Sequence, residues 1–193
     1  MLRLCDFLSE GLLSPETITA AHGHGFLVME NLNLRPTDRD RMLQFRTLQG
    51  QHISGDLSTV AADILRNPGL APVYCLAPPT RDKFMLTLGR TPSVDIHLDH
   101  STISKLHSWF RYDQQKSEFW VADAGSTNGT KLAGKNMKAH EAVQLKGGEA
   151  LVFGTRINAR FHTPQSLATY LIIARRLGAD NARPSGMKAQ AGV

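Results

Sequence analysis

The sequence is short of cysteine, of aromatic residues and of long apolar runs, and each shortage excludes a class of protein. Its 193 residues include two cysteines and 7% aromatic side chains. Two cysteines cannot form a disulfide framework, so we expect two reduced thiols rather than a disulfide-stabilised secreted scaffold. Asp6 and Glu10 interrupt the apolar start that a signal peptide would need, and no apolar run is long enough to span a bilayer. These absences predict a soluble, cytoplasmic protein.

The net charge of +5 is unevenly distributed along the chain. Residues 1–70 contain two more acidic than basic side chains, whereas residues 71–164 contain four more basic than acidic ones. A basic central region favours an anionic ligand, which can be a phosphopeptide, a nucleic acid or a lipid headgroup. Charge alone does not choose among these three.

The first 70 residues have the pattern of a small helical extension. Ser14 followed by Pro15 is typical of a helix start, because the serine caps the first turn and proline fits its first position. Residues 57–65 carry apolar side chains at helical spacing, and Asn67-Pro68-Gly69 ends that pattern. We therefore predict a helical N-terminal extension over residues 1–70, with a linker at its end.

From about residue 71 the apolar period changes to two, which indicates β-strands. Ile157, Ala159 and Phe161, for example, alternate with polar residues. Short strands separated by Gly, Asn, Asp and Ser predict an antiparallel β-sandwich over residues 71–163. Thr163 and Pro164 then predict the start of a helix over residues 164–178. Residues 179–193 have almost nothing to bury and are predicted to be disordered.

Three short clusters of polar residues and glycines lie at predicted strand ends or loops, and they are the candidates for a binding site. They are Gly89-Arg90, the segment from Ser104 to His107, and the segment from Gly125 to Thr130. Together they supply a guanidinium group, hydroxyls, an amide and backbone N–H groups that glycine leaves exposed. Arginine presents a planar pair of donors that matches two phosphate oxygens at once. This inventory predicts a site for a phosphate group.

The same clusters resemble the signature of the forkhead-associated (FHA) domain: Gly-Arg, Ser-x-x-His and Ser-x-Asn-Gly, in that order. The flanking residues agree, with Asp95-Ile96 before the second cluster and Phe153-Gly154 after the third. The resemblance covers roughly residues 72–162. It implies a mainly β protein, an FHA-type antiparallel sandwich, here with the helical N-terminal extension and a C-terminal helix. Lys105 departs from the family, in which arginine commonly follows the serine.

The resemblance implies roles for eight residues of the clusters. Arg90 and Ser104 would bind the phosphate of a phosphothreonine directly, Lys105 and Thr127 would add donors around it, and Asn128 would bind the peptide backbone. Three further residues would support the site: Gly89, His107 and Gly129.

As an FHA domain the chain would be a phosphothreonine-dependent interaction module rather than an enzyme, with no cofactor. Its partner would be a phosphothreonine-containing protein, either a substrate of a Ser/Thr kinase or the kinase itself. The family prefers phosphothreonine to phosphoserine, because the extra methyl group fills a small pocket.

Other interpretations of these residues remain open. A scaffold could use the same fold without phosphate, and a nucleic-acid binder could use the basic β region, although exposed aromatics interleaved with basic residues are not apparent. Ser104 and His107 could form a nucleophile and a base, but no nucleophile-elbow glycines surround the serine. His22 and His24 have no nearby carboxylate or cysteine cluster, so a flexible turn is favoured over a metal site.

Overall fold

The computed structural model describes residues 2–30, 71–76 and 85–176. Within these ranges, two β-sheets pack face to face and helices cover the outer side of the larger sheet. Neighbouring strands are antiparallel, except for β4 and β5, which pair in parallel. The predicted β-sandwich with accompanying helices is therefore confirmed.

The two sheets differ in size. In spatial order, the described strands of the larger sheet are β1 (Leu2–Arg3), β3 (Pro72–Cys75), β2 (Phe26–Met29), β12 (Ile157–His162), β11 (Ala150–Phe153), β8 (Thr130–Leu132) and β9 (Lys135–Asn136). Those of the smaller sheet are β10 (Val143–Leu145), β7 (Glu118–Asp123), β6 (Ser108–Asp113), β4 (Met85–Gly89) and β5 (Ile96–His97).

Alternate residues of both sheets fill the core between them. Leu88 on β4 and Phe110 on β6 face Phe153 and Phe161 of the larger sheet, and all four are buried. The Phe119 and Phe161 rings, one from each sheet, lie 5.2 Å apart between centroids. This core holds the sandwich ends rigid, and the loops with the three sequence clusters are attached to one of those ends.

A second apolar cluster lies on the outer face of the larger sheet. It is covered by three helices: α1 (Leu4–Ser9), α2 (Pro15–His22) and α3 (Pro164–Arg176). As predicted, the Ser14 hydroxyl caps α2 by accepting a hydrogen bond from the Thr17 N–H, with Pro15 at the first helical position. The predicted C-terminal helix is confirmed as far as residue 176. No described helix is long and apolar enough to cross a membrane.

The helical prediction for residues 1–70 is wrong at Leu2–Arg3 and at Phe26–Met29, which are strands. In β2, Leu27 and Met29 face the core between the sheets, while Phe26 and Val28 face the helices. A strand buried on both faces reads as a continuous apolar run, so it shows no period of two. The helix predicted over residues 57–65 and the linker after it lie outside the described residues.

His162 gives an expected loss of stability in acid. It is buried at the end of β12, with Nδ1 3.2 Å from the Ser166 hydroxyl. Burial, reinforced by the charge of Arg160, lowers its pKa from 6.5 to about 3. Between these two values the unfolded chain binds a proton at this residue and the folded chain does not. We therefore expect its contribution to the free energy of unfolding to fall by about 1.4 kcal/mol per pH unit as pH decreases.

Urea unfolding near neutral pH and at about pH 5 measures this loss. The control is His162→Phe, which fills the same space but does not ionise, and which we expect to reduce the pH dependence. Equal pH dependence in both proteins would contradict the assignment to His162.

Candidate functional site

Arg90 is the first residue after β4, and hydrogen bonds hold both its backbone and its side chain. Its N–H donates to the carbonyl oxygen of Ser104 at 2.9 Å, and its side-chain Nε donates to the carbonyl oxygen of Ile103 at 3.1 Å. Nε2 of His97 lies 3.0 Å from the Arg90 carbonyl oxygen. The two Nη nitrogens have no hydrogen-bond partner among the described residues. The end of the guanidinium group is therefore available to an anion.

Gly89 allows two backbone segments to approach each other at the base of the site. It is buried, and a Cβ atom at this position would fall on the carbonyl oxygen of Lys105 and lie 3.1 Å from Cα of Leu106. A side chain would therefore push β4 away from the loop that carries Ser104. This contact gives a physical reason for glycine before Arg90.

Ser104 and Thr127 join two loops that are 23 residues apart in sequence. The Ser104 hydroxyl accepts a hydrogen bond from the Thr127 N–H at 3.0 Å and lies 3.3 Å from the Thr127 hydroxyl. Ser104 is half-buried and Thr127 is exposed. Two hydroxyl groups therefore meet at the surface. Ser104 directly follows Ile103, whose carbonyl oxygen holds the Arg90 side chain.

Lys105 and Asn128 border this pair of hydroxyls, and both are exposed. The Asn128 amide nitrogen donates to the carbonyl oxygen of Thr102 at 2.9 Å, which ties the third sequence cluster to the loop before Ser104. The amide oxygen of Asn128 has no partner among the described residues, so it can accept a hydrogen bond from a ligand. The five predicted binding residues thus lie at one end of the sandwich.

His107 is fully buried beneath the site. Its Nδ1 accepts a hydrogen bond from the Ser104 N–H at 3.1 Å, and its Nε2 lies 3.2 Å from the carbonyl oxygen of Gly129 and 3.1 Å from the backbone nitrogen of Gly154. Burial lowers the pKa of His107, while the Gly129 carbonyl and Asp123 partly oppose that effect. The neutral ring therefore links the loops of the second and third clusters.

This geometry does not support Ser104 and His107 as a nucleophile and its base. His107 contacts the backbone N–H of Ser104, whereas the Ser104 hydroxyl contacts the N–H and the hydroxyl of Thr127. A general base has to reach the proton that it removes. The arrangement fits a binding surface.

Asp123 is a supporting residue that the sequence interpretation missed. Its buried carboxylate accepts hydrogen bonds from the N–H groups of Gly125 and Ser126 and from the hydroxyls of Ser126 and Thr130, at 2.6–2.9 Å. Burial raises the pKa of Asp123, but these hydrogen bonds outweigh it and hold the pKa below its ordinary value. The charged carboxylate thereby shapes the loop from Gly125 to Thr130. The sequence contains a signal for this role. Gly125 and Ser126 follow Asp123 by two and three residues, and an aspartate carboxylate often accepts hydrogen bonds from backbone N–H groups at these positions.

His22 and His24 have other partners in the structure. The His24 ring stacks on Tyr112 at 4.9 Å between centroids, and Nε2 of His22 lies 3.4 Å from a carboxylate oxygen of Glu10. In the described ranges, no group of three or more His, Cys, Asp or Glu side chains could hold a metal ion.

Comparison with known proteins points to one family. The FHA domain model matches residues 86–154. The oxoglutarate dehydrogenase inhibitor of Corynebacterium glutamicum is 34% identical over 91 residues, which are 47% of this chain and 57% of that protein. The inhibitor of the same name from Corynebacterium diphtheriae is 31% identical over 108 residues, 56% of this chain and 68% of that protein.

Two further similarities concern shorter or more distant matches. The glycogen accumulation regulator GarA of Mycobacterium tuberculosis is 36% identical over 73 residues, 38% of this chain and 42% of that protein. The FHA domain of a Chlamydia trachomatis protein has a TM-score of 0.45 and 14% identity, over 72% of this chain and 96% of that one. The chain spans only about half the length of the first curated relatives that it matches. With the matched signature and the relative in C. diphtheriae, this chain belongs to the FHA domain family.

Proposed function

We propose that this chain is a phosphothreonine-dependent protein–protein interaction module, which binds reversibly and without catalysis downstream of a Ser/Thr kinase. The convergence of Arg90 with the hydroxyls of Ser104 and Thr127 is the observation that carries the proposal. The guanidinium end has no partner among the described residues, and the hydroxyls meet beside it. A phosphate group supplies the negative charge and the acceptor oxygens that pair with these donors.

The expected affinity follows from the number of donors. Each hydrogen bond to the charged phosphate contributes roughly 1.5–3 kcal/mol, but desolvation and ordering of the peptide offset much of that gain. We expect micromolar binding, about −8 kcal/mol. Such affinity allows the complex to dissociate when the partner is dephosphorylated.

The proposed partner is a phosphothreonine-containing protein, either a substrate of the kinase or the kinase itself. The relatives are named as an inhibitor and as a regulator, and both names fit control through binding. We place this interaction in the cytoplasm, because Cys5 and Cys75 are free thiols, as in a reducing compartment.

Calorimetric titration with degenerate peptide pools tests the proposal. We expect heat with a phosphothreonine pool and none with matched phosphoserine or unphosphorylated pools. Arg90→Ala should weaken binding by more than about 100-fold, since it removes two charge-assisted hydrogen bonds. Arg90→Lys should bind at an intermediate level, because it keeps the charge and loses the planar pair of donors. Thermal unfolding should be similar in all three proteins.

Two results would favour the alternatives. A partner that binds unphosphorylated and is undiminished by Arg90→Ala would indicate a scaffold that does not use phosphate. Binding to nucleic acid with a steep dependence on salt, together with indifference to phosphopeptides, would indicate a nucleic-acid binder.

A further inference from the structure

The smaller sheet has an outer surface that no described helix covers, because α1, α2 and α3 pack on the larger sheet. Phe110 and Val121 of the smaller sheet point into the core, so their neighbours along each strand point outward. One outward row crosses four strands and consists of Met85, Arg111, Trp120 and Gln144. We refer to this row, together with Trp109 and Glu118, as the Trp120 face.

The Trp120 face is rich in large apolar side chains. Trp109 and Trp120 lie on the neighbouring strands β6 and β7 and are only partly buried, and Met85 is 44% exposed. The indole Nε1 of Trp120 is buried and has no hydrogen-bond partner among the described residues. Aromatic side chains grouped in this way, with polar residues around them, are typical of a surface that another molecule covers.

Two opposite charges flank Trp120 on this face. Arg111 is directly opposite Trp120, and its guanidinium carbon lies 5.8 Å from the centre of the Trp120 ring. Glu118 is two residues before Trp120 on the same strand, so it belongs to the same face. In the described ranges, neither Arg111 nor Glu118 has an ion-pair partner. The two residues form a diagonal cross-strand pair, with Cα atoms about 7–8 Å apart.

A second copy of the chain supplies the opposite charge for both residues. A two-fold dimer uses the same surface on both copies. A rotation axis that lies in the interface, and that crosses the line from Arg111 to Glu118, places Arg111 of each copy over Glu118 of the other. The same axis passes close to Trp120, so the two Trp120 rings meet at the centre. The charge pattern of the face is therefore complementary to itself.

We propose that the Trp120 face is a dimer interface between two copies of this chain. Two ion pairs between Arg111 and Glu118 flank an apolar centre made by the Trp120 side chains. The four strands are only about 14 Å across, so the face is smaller than the 800 Å² or so that each partner buries in a standard interface. We therefore expect a weak dimer, with a dissociation constant of roughly 10–100 µM.

This interface leaves the proposed phosphate site open. Ser108 begins β6 next to the buried His107, and Arg111 is three residues farther along the strand. Arg90 and Ser104 lie beyond the end of the strand at which Ser108 is found. The dimer therefore needs no phosphopeptide, and the inference does not depend on the proposed function.

Sedimentation equilibrium of the full chain, without any peptide, measures the association. Over concentrations from about 5 to 500 µM, which bracket the expected dissociation constant, we expect the average mass to rise from near 21.2 kDa towards twice that value. Calorimetric titration with the phosphothreonine pool provides a separate readout, which the interface variants should leave unchanged.

Opposite-charge variants assign the interface to the two residues. Arg111→Glu and Glu118→Arg should each weaken association at least about tenfold, because each brings like charges together. An equal mixture of the two variants should recover association to near the wild-type level, because opposite charges then face each other at both positions. Arg175→Glu is the control, since it makes the same charge change on α3 and should leave the average mass unchanged.

A wild-type chain that stays at 21.2 kDa over the whole concentration range would overturn the inference. Association that persists in both charge variants would do the same. Failure of the mixture to recover association would show that the loss in the single variants does not come from pairing of Arg111 with Glu118. Recovery in the mixture, in contrast, requires that both variants are folded, and it would support the interface directly.

Discussion

Removal of residues 1–30 should leave a chain that does not fold. The deletion takes away β2, which pairs with both β3 and β12 in the larger sheet. Four side chains of β2 are buried, two in each apolar cluster. Burial of each contributes roughly 1.5–3 kcal/mol, so their sum is comparable to the 5–15 kcal/mol that stabilises a typical domain. The family match begins at residue 86, but the folding unit includes Phe26–Met29.

Circular dichroism and urea unfolding measure this effect. The shortened protein should show no cooperative transition, while removal of residues 179–193, where the sequence has little to bury, should leave the transition intact. Cooperative unfolding of the protein that lacks residues 1–30 would contradict the central role of β2. Glu30 adds to that role, because its carboxylate accepts a hydrogen bond from Nε of the buried Arg160 at 2.8 Å.

Gly89→Ala should eliminate phosphopeptide binding and reduce stability. The new methyl group would overlap the carbonyl oxygen of Lys105, which is backbone and cannot move aside cheaply. Separation of the two segments breaks the hydrogen bond from the Arg90 N–H to Ser104 and turns the guanidinium away from the hydroxyls. Overpacking of this kind typically costs about 1–3 kcal/mol in the free energy of unfolding. Urea unfolding and calorimetric titration of the same preparation measure both effects.

The control is Gly11→Ala in the N-terminal extension. Gly11 has a φ of 70° but open space around its Cα, so alanine there has a backbone cost of about 1–2 kcal/mol and no overlap. We expect lower stability with unchanged affinity. If Gly89→Ala behaved in the same way, the close approach at Lys105 would not position Arg90.

Strands such as β12 could be predicted because apolar and polar side chains alternate along them. The alternation of Ile157, Ala159 and Phe161 with polar residues predicts β12 over the residues at which it is found. Phe26–Met29 shows no such alternation, because the core lies on one side of it and the helices on the other. The Ser14-Pro15 signal correctly predicts the start of α2, but such a signal is local and says nothing about Phe26–Met29.

The predicted binding residues were found through a signature, whereas the contacts between them depend on the fold. Ser104 meets Thr127, and Asn128 meets Thr102, across 23 and 26 residues of sequence. Asp123 lies only two to seven residues before its four donors, so the pattern Asp-x-Gly-Ser could have indicated its role, but the sequence interpretation did not use it.

The sequence by itself determined the family, the β-sandwich and the three loops that carry the polar groups, since motif and period are properties of neighbouring residues. Only the tertiary structure decided that β2 completes the larger sheet, and that the buried His107 ring contacts the Ser104 N–H on one side and the Gly129 carbonyl on the other. The physical reason is that these features depend on burial and on contacts between distant segments. Burial and long-range contacts are established only when the two sheets pack together.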